Sequence, residues 1–214
     1  MESASQGAAR GASDLTHYGE DYLRYQVTKG AFRRWVRGFY VRRAVKRCIG
    51  PTLDFGCGPG VNLAKMPAGS VGLDVNRYAV EHCRGQGLTA HVFEPAIDGM
   101  RLGQIEGLGL KTFFCAHVLE HLEDPLFTAK AMCDAAKRTG ARRLVFIVPG
   151  IAGFKSDTSH RTLIDEAFFK RLEVEVFGRF RIAEISWFPS PLAFVGRFFV
   201  YEELMVVFDA VVKA

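Results

Sequence analysis

The apolar residues of this chain fall into short runs separated by turn residues. TLDFG (52–56), VGLDV (71–75), the segment 89–93 and the segment 111–115 each read as a strand of four or five residues. RRLVFIVP (142–149) is a longer unbroken apolar run, the pattern of a strand buried on both faces of a parallel sheet. Helical spacing lies between them: a start at 62–65, then 78–85, 125–138 and 165–172. Two more runs, 180–187 and 203–212, read as strands near the end of the chain. Alternation of this kind predicts an α/β domain whose parallel sheet is covered on both faces. No internal repeat interrupts it.

Ahead of the first strand the pattern changes. Residues 1–13 are rich in Ala, Gly and Ser and are expected to be disordered. Residues 20–49 read as helical, with a break at Gly30 or Gly38. Trp35, Val36 and Phe39 share one face and arginines the other. The chain is thus expected to divide into a tail and basic helical segment, 1–49, and a domain, 50–214.

Composition narrows the class. The chain has 214 residues, 49% hydrophobic and 24% charged, too apolar for a disordered protein and long enough for one well-buried core. Its net charge is +5, but nine basic residues and no acid lie within 24–47. Without those nine, 19 basic residues face 23 acidic ones, so the body is mildly acidic. Five cysteines, an odd number with no C-x-x-C pair, read as reduced thiols in a cytoplasmic protein without a zinc knuckle. The N-terminus has no apolar core of signal-peptide length, and Arg197, Glu202, Glu203 and Asp209 break the most apolar stretch, 189–212. No membrane-spanning helix is expected.

The densest chemical signal is Leu53-Asp54-Phe55-Gly56-Cys57-Gly58-Pro59-Gly60. Glycines here follow a strand and precede a helix, where positive φ and a close approach of ligand to backbone are needed. Asp74 ends the next strand, 18 residues after Gly56, where a carboxylate commonly accepts hydrogen bonds from ribose hydroxyls. The glycine spacing is D-x-G-x-G-x-G and departs from the G-x-G-x-x-G of dinucleotide sites.

LDFGCGPG, then GLDVN, then CAHVLEHLEDP resembles the class I S-adenosylmethionine-dependent methyltransferases, most closely the small bacterial type 11 group. The resemblance covers about 50–175. It implies a Rossmann-like sheet of seven strands, mostly parallel, with the last antiparallel. It implies S-adenosylmethionine as cofactor, held by Asp54, Gly56, Cys57, Gly58 and Gly60 along its methionine part and by Asp74 at the ribose. Val75 and Asn76 would lie beside the adenine. Either Glu94 or Asp98 would meet the adenine amine, and Ala116 and His117 would fall near the sulfonium. The acid usual at the start of the fourth strand is replaced by Lys111.

His117-Val118-Leu119-Glu120-His121 also spells H-x-x-E-H, an inverted zincin pattern. That chemistry needs a helix, whereas the preceding LKTFFCA reads as a strand and no third ligand stands in a helical context. No metal site is therefore expected. Methyl transfer needs a general base only for a hydroxyl or protonated amine, and histidine titrates in the right range. His117, His121 and His160 are the candidates for catalysis; His121, His160 and Arg161 are candidates for acceptor contact. In the resembling family the segment before the first strand often folds over the cofactor as a lid, so Tyr18, Tyr22 and Tyr25 would bound the cofactor or the acceptor. Trp187-Phe188-Pro189 and 194–201 would shape its pocket. The expected activity is methyl transfer to a small-molecule, glycan or lipid-linked acceptor. The alternatives are an RNA methyltransferase and a non-catalytic binding protein. Nucleic acid is the less favoured partner, and the basic segment also suits peripheral contact with anionic lipid.

Overall fold

The computed structural model describes residues 40–98, 100–176 and 179–211. The tail, most of the N-terminal helical segment and the three tyrosines Tyr18, Tyr22 and Tyr25 lie outside them. A helix over 40–45 leads into the domain. Seven strands follow: β1 (Thr52–Phe55), β2 (Val71–Asp74), β3 (Ala90–Val92), β4 (Thr112–Ala116), β5 (Arg143–Pro149), β6 (Phe180–Phe188) and β7 (Glu203–Ala210). The helices are α1 (Arg77–Gly85), α2 (Pro95–Asp98), α3 (Pro125–Thr139), α4 (Ile151–Lys155) and α5 (Glu166–Glu175).

The strands form one sheet in the order β3-β2-β1-β4-β5-β7-β6. β1 to β5 pair in parallel, and β7 lies antiparallel between β5 and β6. This is the mostly parallel, seven-stranded sheet with an antiparallel last strand that the resemblance implies, within the α/β class that the alternation of elements predicts. The strand order reverses between β1 and β4, so their carboxyl ends flank the crevice where open α/β sheets bind ligands.

Both faces of the sheet are apolar, as the unbroken run in β5 requires. Leu144, Phe146 and Val148 pack into the larger core with α3 and α5, through Met132, Cys133, Phe169 and Leu172. Val145 and Ile147 point the other way, with Phe114, Met205 and Val207, against Ala44 of the leading helix. A third cluster joins Cys57, Leu63, Val80, Cys83 and Ala90 beneath the glycine loop. Capping fixes the helix starts. Asp124 accepts from Phe127 N at 2.9 Å to open α3, and Asp165 accepts from Phe168 N at 3.0 Å to open α5. The predicted helical start at 62–65 is a three-residue 3-10 turn, Leu63–Lys65.

Candidate active site at the carboxyl edge of the sheet

The glycine loop leaves β1 with Gly56, Gly58 and Gly60 all at positive φ, between +50° and +78°. At Gly56 a side chain is excluded twice. A Cβ there would sit 2.3 Å from Cγ2 of Val118, in the turn after β4. The first and third sequence motifs are therefore packed directly on each other. Cys57 is buried beneath the loop and leaves only its backbone at the crevice.

Asp74, at the end of β2, holds this loop in place. Its Oδ2 accepts from Gly58 N at 2.7 Å and its Oδ1 from Asn76 N at 2.8 Å. Burial pushes its carboxyl above the usual carboxylate range, and the backbone N–H groups pull against that shift. With the Val75 backbone N–H also acting on it, the carboxylate keeps a lone pair for a hydroxyl donor. The Asn76 side chain is engaged as the cap of α1, accepting from Tyr78 N at 3.0 Å. Asp54 is buried within β1. Glu94 is exposed just before α2, and Asp98 ends that helix. Ala116 ends β4.

His117 follows Ala116 with φ +57°, uncommon for a residue with a side chain. Its N–H donates to Ile147 O at 3.0 Å, tying the turn to β5. The ring lies between two acids: Nδ1 is 3.1 Å from Glu120 Oε1 and Nε2 is 2.9 Å from Glu203 Oε1. Burial lowers its pKa, but Glu203 and Glu120 together outweigh burial and raise it to about 10. A carboxylate oxygen at each ring nitrogen favours the protonated ring, with both N–H groups donating. That arrangement suits fixed positive charge better than proton abstraction.

Leu119–His121 form a 3-10 turn rather than the α-helical pair an H-x-x-E-H site needs. The loop after α4 lies over this turn. Arg161 N and Thr162 N donate to Glu120 O at 2.7 and 3.1 Å, and Thr162 Oγ1 donates to Leu122 O at 2.8 Å. His160 is thereby brought to His121, ring centroids 4.7 Å apart, with its Nε2 4.0 Å from Glu120 Oε1. Burial lowers the pKa of His121. Arg161 points elsewhere, its Nη1 donating to Glu123 Oε1 at 2.9 Å.

Beside Glu203 a small hollow of about 10 Å³, room for little more than a water molecule, is lined by Tyr40, Arg43, Ile147, Phe188 and Met205. Tyr40 meets Phe188 edge-on at 4.6 Å, Arg43 stacks over the same ring at 5.1 Å, and the Tyr40 hydroxyl donates to Tyr201 O. Phe188 is thus part of a pocket, while Trp187 is tied to the body of the fold, its Nε1 donating to Glu166 Oε1 at 2.8 Å. The place of Glu203 in the site and the central position of Glu120 are not evident from the sequence pattern. An acid opening an otherwise apolar strand was the available signal for Glu203.

No protein-family model and no curated protein matches the chain. Solved structures do. The chain is similar to magnesium protoporphyrin IX methyltransferase from Synechocystis PCC 6803 with bound SAH, at 18% identity over 91% of this chain and 97% of that one, TM-score 0.67. It is similar to a SAM-dependent methyltransferase from Archaeoglobus fulgidus, at 16% identity over 89% and 99%, TM-score 0.61. It is also similar to DhpI in complex with SAH, at 13% identity over 95% and 99%, TM-score 0.63. The chain has the Rossmann-like class I methyltransferase fold.

Proposed function

We propose that the protein is an S-adenosylmethionine-dependent methyltransferase acting on a small-molecule, glycan or lipid-linked acceptor. The observation that carries this reading is the Asp74 carboxylate at the end of β2, bonded to the positive-φ glycine loop through Gly58 N at 2.7 Å. A glycine-rich loop beside a carboxylate with a lone pair to spare is what a nucleoside linked to an amino acid requires. That neighbours of the same fold were solved with SAM or SAH supports the choice of cofactor.

When bound, S-adenosylmethionine supplies an activated methyl group for in-line displacement. The chain's own part is to position and to manage charge. The backbone at Gly56, Cys57, Gly58 and Gly60 would flank the methionine part. Asp74 would accept from the ribose hydroxyls. Val75, Asn76 and either Glu94 or Asp98 would bound the adenine, with Asp54 supporting the loop from within β1. Ala116 and His117 would face the reacting centre, where His117 contributes positive charge. Proton handling, where the acceptor needs it, falls to the cluster of Glu120, His121 and His160. Tyr40, Arg43 and Phe188, at the same edge of the sheet, would border the acceptor.

Calorimetry with S-adenosylhomocysteine is expected to show one site. Asp74→Ala should weaken it at least about tenfold, because a hydrogen bond to a charged group contributes about 1.5–3 kcal/mol. Unchanged affinity in that variant, or no binding by the native protein, would sink the reading. Incubation with labelled cofactor and a lysate of the source cells tests turnover. A protein that binds the nucleoside but labels nothing would be the non-catalytic alternative.

A further inference from the structure

We propose that Glu120, His121 and His160 form a binding site for one divalent first-row transition-metal ion, zinc or cobalt in kind, at the carboxyl edge of the sheet. Each of the three offers one ligand atom, and these atoms lie within 4.8 Å of one another. That spread is what three donors at about 2.0–2.2 Å from one ion can span after small rotamer adjustments.

Glu120 is the strongest argument. It is fully buried, and its Oε2 has no hydrogen-bond partner. A buried carboxylate oxygen left unpaired is costly, and native folds rarely retain one without a use. His117 serves only the other oxygen, Oε1, at 3.1 Å. A bound cation at the cluster would supply the missing partner.

The two histidines are set in the tautomer that a metal needs. His160 Nδ1 is 2.9 Å from Phe154 O, which can only accept, so Nδ1 carries the proton and Nε2 the lone pair. His121 Nδ1 is 3.3 Å from Ser159 O, again an acceptor only. Ser159 Oγ, 3.2 Å from the same nitrogen, donates its one proton to Asp157 Oδ1 at 2.6 Å and so must accept from the ring. His121 therefore also presents Nε2 as its basic nitrogen. An imidazole N–H anchored on a backbone carbonyl is the usual outer-shell support of a ligating histidine. Phe154 stacks on the His160 ring at 5.5 Å and fixes its plane.

Two imidazoles and one carboxylate are a borderline donor set, better matched to zinc or cobalt than to magnesium or calcium, which prefer oxygen alone. Three protein ligands leave a coordination position open. If the methyltransferase reading holds, that position would take an acceptor hydroxyl. The ion would ease loss of its proton, and the histidines would act as ligands instead of bases. The pairing also differs from the zincin pattern in the letters. His117 belongs to that pattern but is held between Glu120 and Glu203, while His160, 39 residues beyond His121, completes the set.

The test is titration of the full-length, metal-stripped protein with zinc chloride by calorimetry, and with cobalt(II) followed by its visible d–d absorption. One equivalent of each is expected. Glu120→Gln and His160→Ala should each weaken uptake at least about tenfold, and His82→Ala, a histidine on α1, should not. Zinc should also raise the thermal midpoint of the native protein and leave that of His160→Ala unmoved. Absence of stoichiometric uptake by the native protein, or uptake that survives both variants, would overturn the proposal. Because uptake is read without cofactor or acceptor, zinc binding without S-adenosylhomocysteine binding would keep this site and remove the methyltransferase reading; the converse would do the reverse.

Discussion

Gly56 joins two constraints that are separable by mutation. Its φ of +74° alone disfavours any L side chain by roughly 1–2 kcal/mol. Its missing Cβ also leaves the space that Val118 Cγ2 fills, 2.3 Å from where that atom would be. Gly56→Ala is therefore expected to lower the urea midpoint and weaken S-adenosylhomocysteine binding. Adding Val118→Ala should recover the overlap part and leave the backbone part. A double-mutant cycle should give a favourable coupling of about 0.5–3 kcal/mol; strict additivity would show that the contact is immaterial. The glycines and Asp74 were legible in the sequence because their requirement is local: a turn that needs positive φ and a strand that ends in a carboxylate. Glu120 and Glu203 were not. Glu120 is buried because the segment carrying Arg161 and Thr162 bonds to its carbonyl. Glu203 matters because it meets a histidine 86 residues away. The Glu120 contact leaves no trace in the neighbouring letters and Glu203 shows only as an acid opening an apolar strand, yet both carboxylates lie against the His117 ring.

At the scale of elements, the strands and the long helices followed from periodicity, since each buries a face over four or more residues. The short pieces did not. Leu119–His121, Gly103–Ile105 and Ala193–Arg197 are 3-10 turns of three to five residues, too short to carry a period, and α4 has only five. The attachment of the leading helix was equally hidden. Val41 and Ala44 are buried while Arg42 and Lys46 face outward, and the helix end is fixed by Arg47. Arg47 Nε and Nη2 donate to Glu184 Oε2 and Oε1 at 2.9 and 2.8 Å, and its carbonyl accepts from Arg143 Nη1 at 3.2 Å. Arg143 in turn forms a two-bond pair with Asp209, its register partner across β5 and β7. The hydrogen bond from Arg47 holds the Glu184 carboxyl below the usual carboxylate range, against a smaller opposing effect of burial. A depressed carboxyl contributes stability above its unfolded pKa, near 4.3, and loses it as pH falls through the folded value. Glu184→Gln should therefore cost up to about 1 kcal/mol at pH 7, the pair being partly exposed, and nearly nothing once both forms are below that range. Chemical denaturation of the two proteins at pH 7 and in the acid limb measures the difference; an equal gap at both would exclude the ion pair as its source.

The charge of the whole molecule bears on the acceptor. An excess of +5 suggests a polyanion, yet it arises from nine basic residues within 24–47, and the rest of the chain is acidic on balance. Where the structure describes that segment, two of the four basic residues are turned to the protein's own groups: Arg47 to Glu184 and Arg43 to Phe188. No helix among the described residues is long and apolar enough to cross a membrane. Within the described part of the segment, these contacts leave fewer cations for a polyanion than the sequence count suggests. A small acceptor and a polyanion differ in their response to salt. A protein that set all nine cations against the phosphates of single-stranded RNA would release counterions from each. Its log-affinity would then fall with log salt at a slope near −6, about −0.7 for each phosphate. With Arg43 and Arg47 held by the fold, the expected slope for a labelled RNA oligomer is shallower than about −2 and its affinity weak throughout. Fluorescence anisotropy between low and physiological salt gives the slope directly. A value near −6, abolished by charge reversal at Arg33, Arg34 and Arg37, would show that the basic segment engages phosphates and would favour RNA as the partner over a small acceptor.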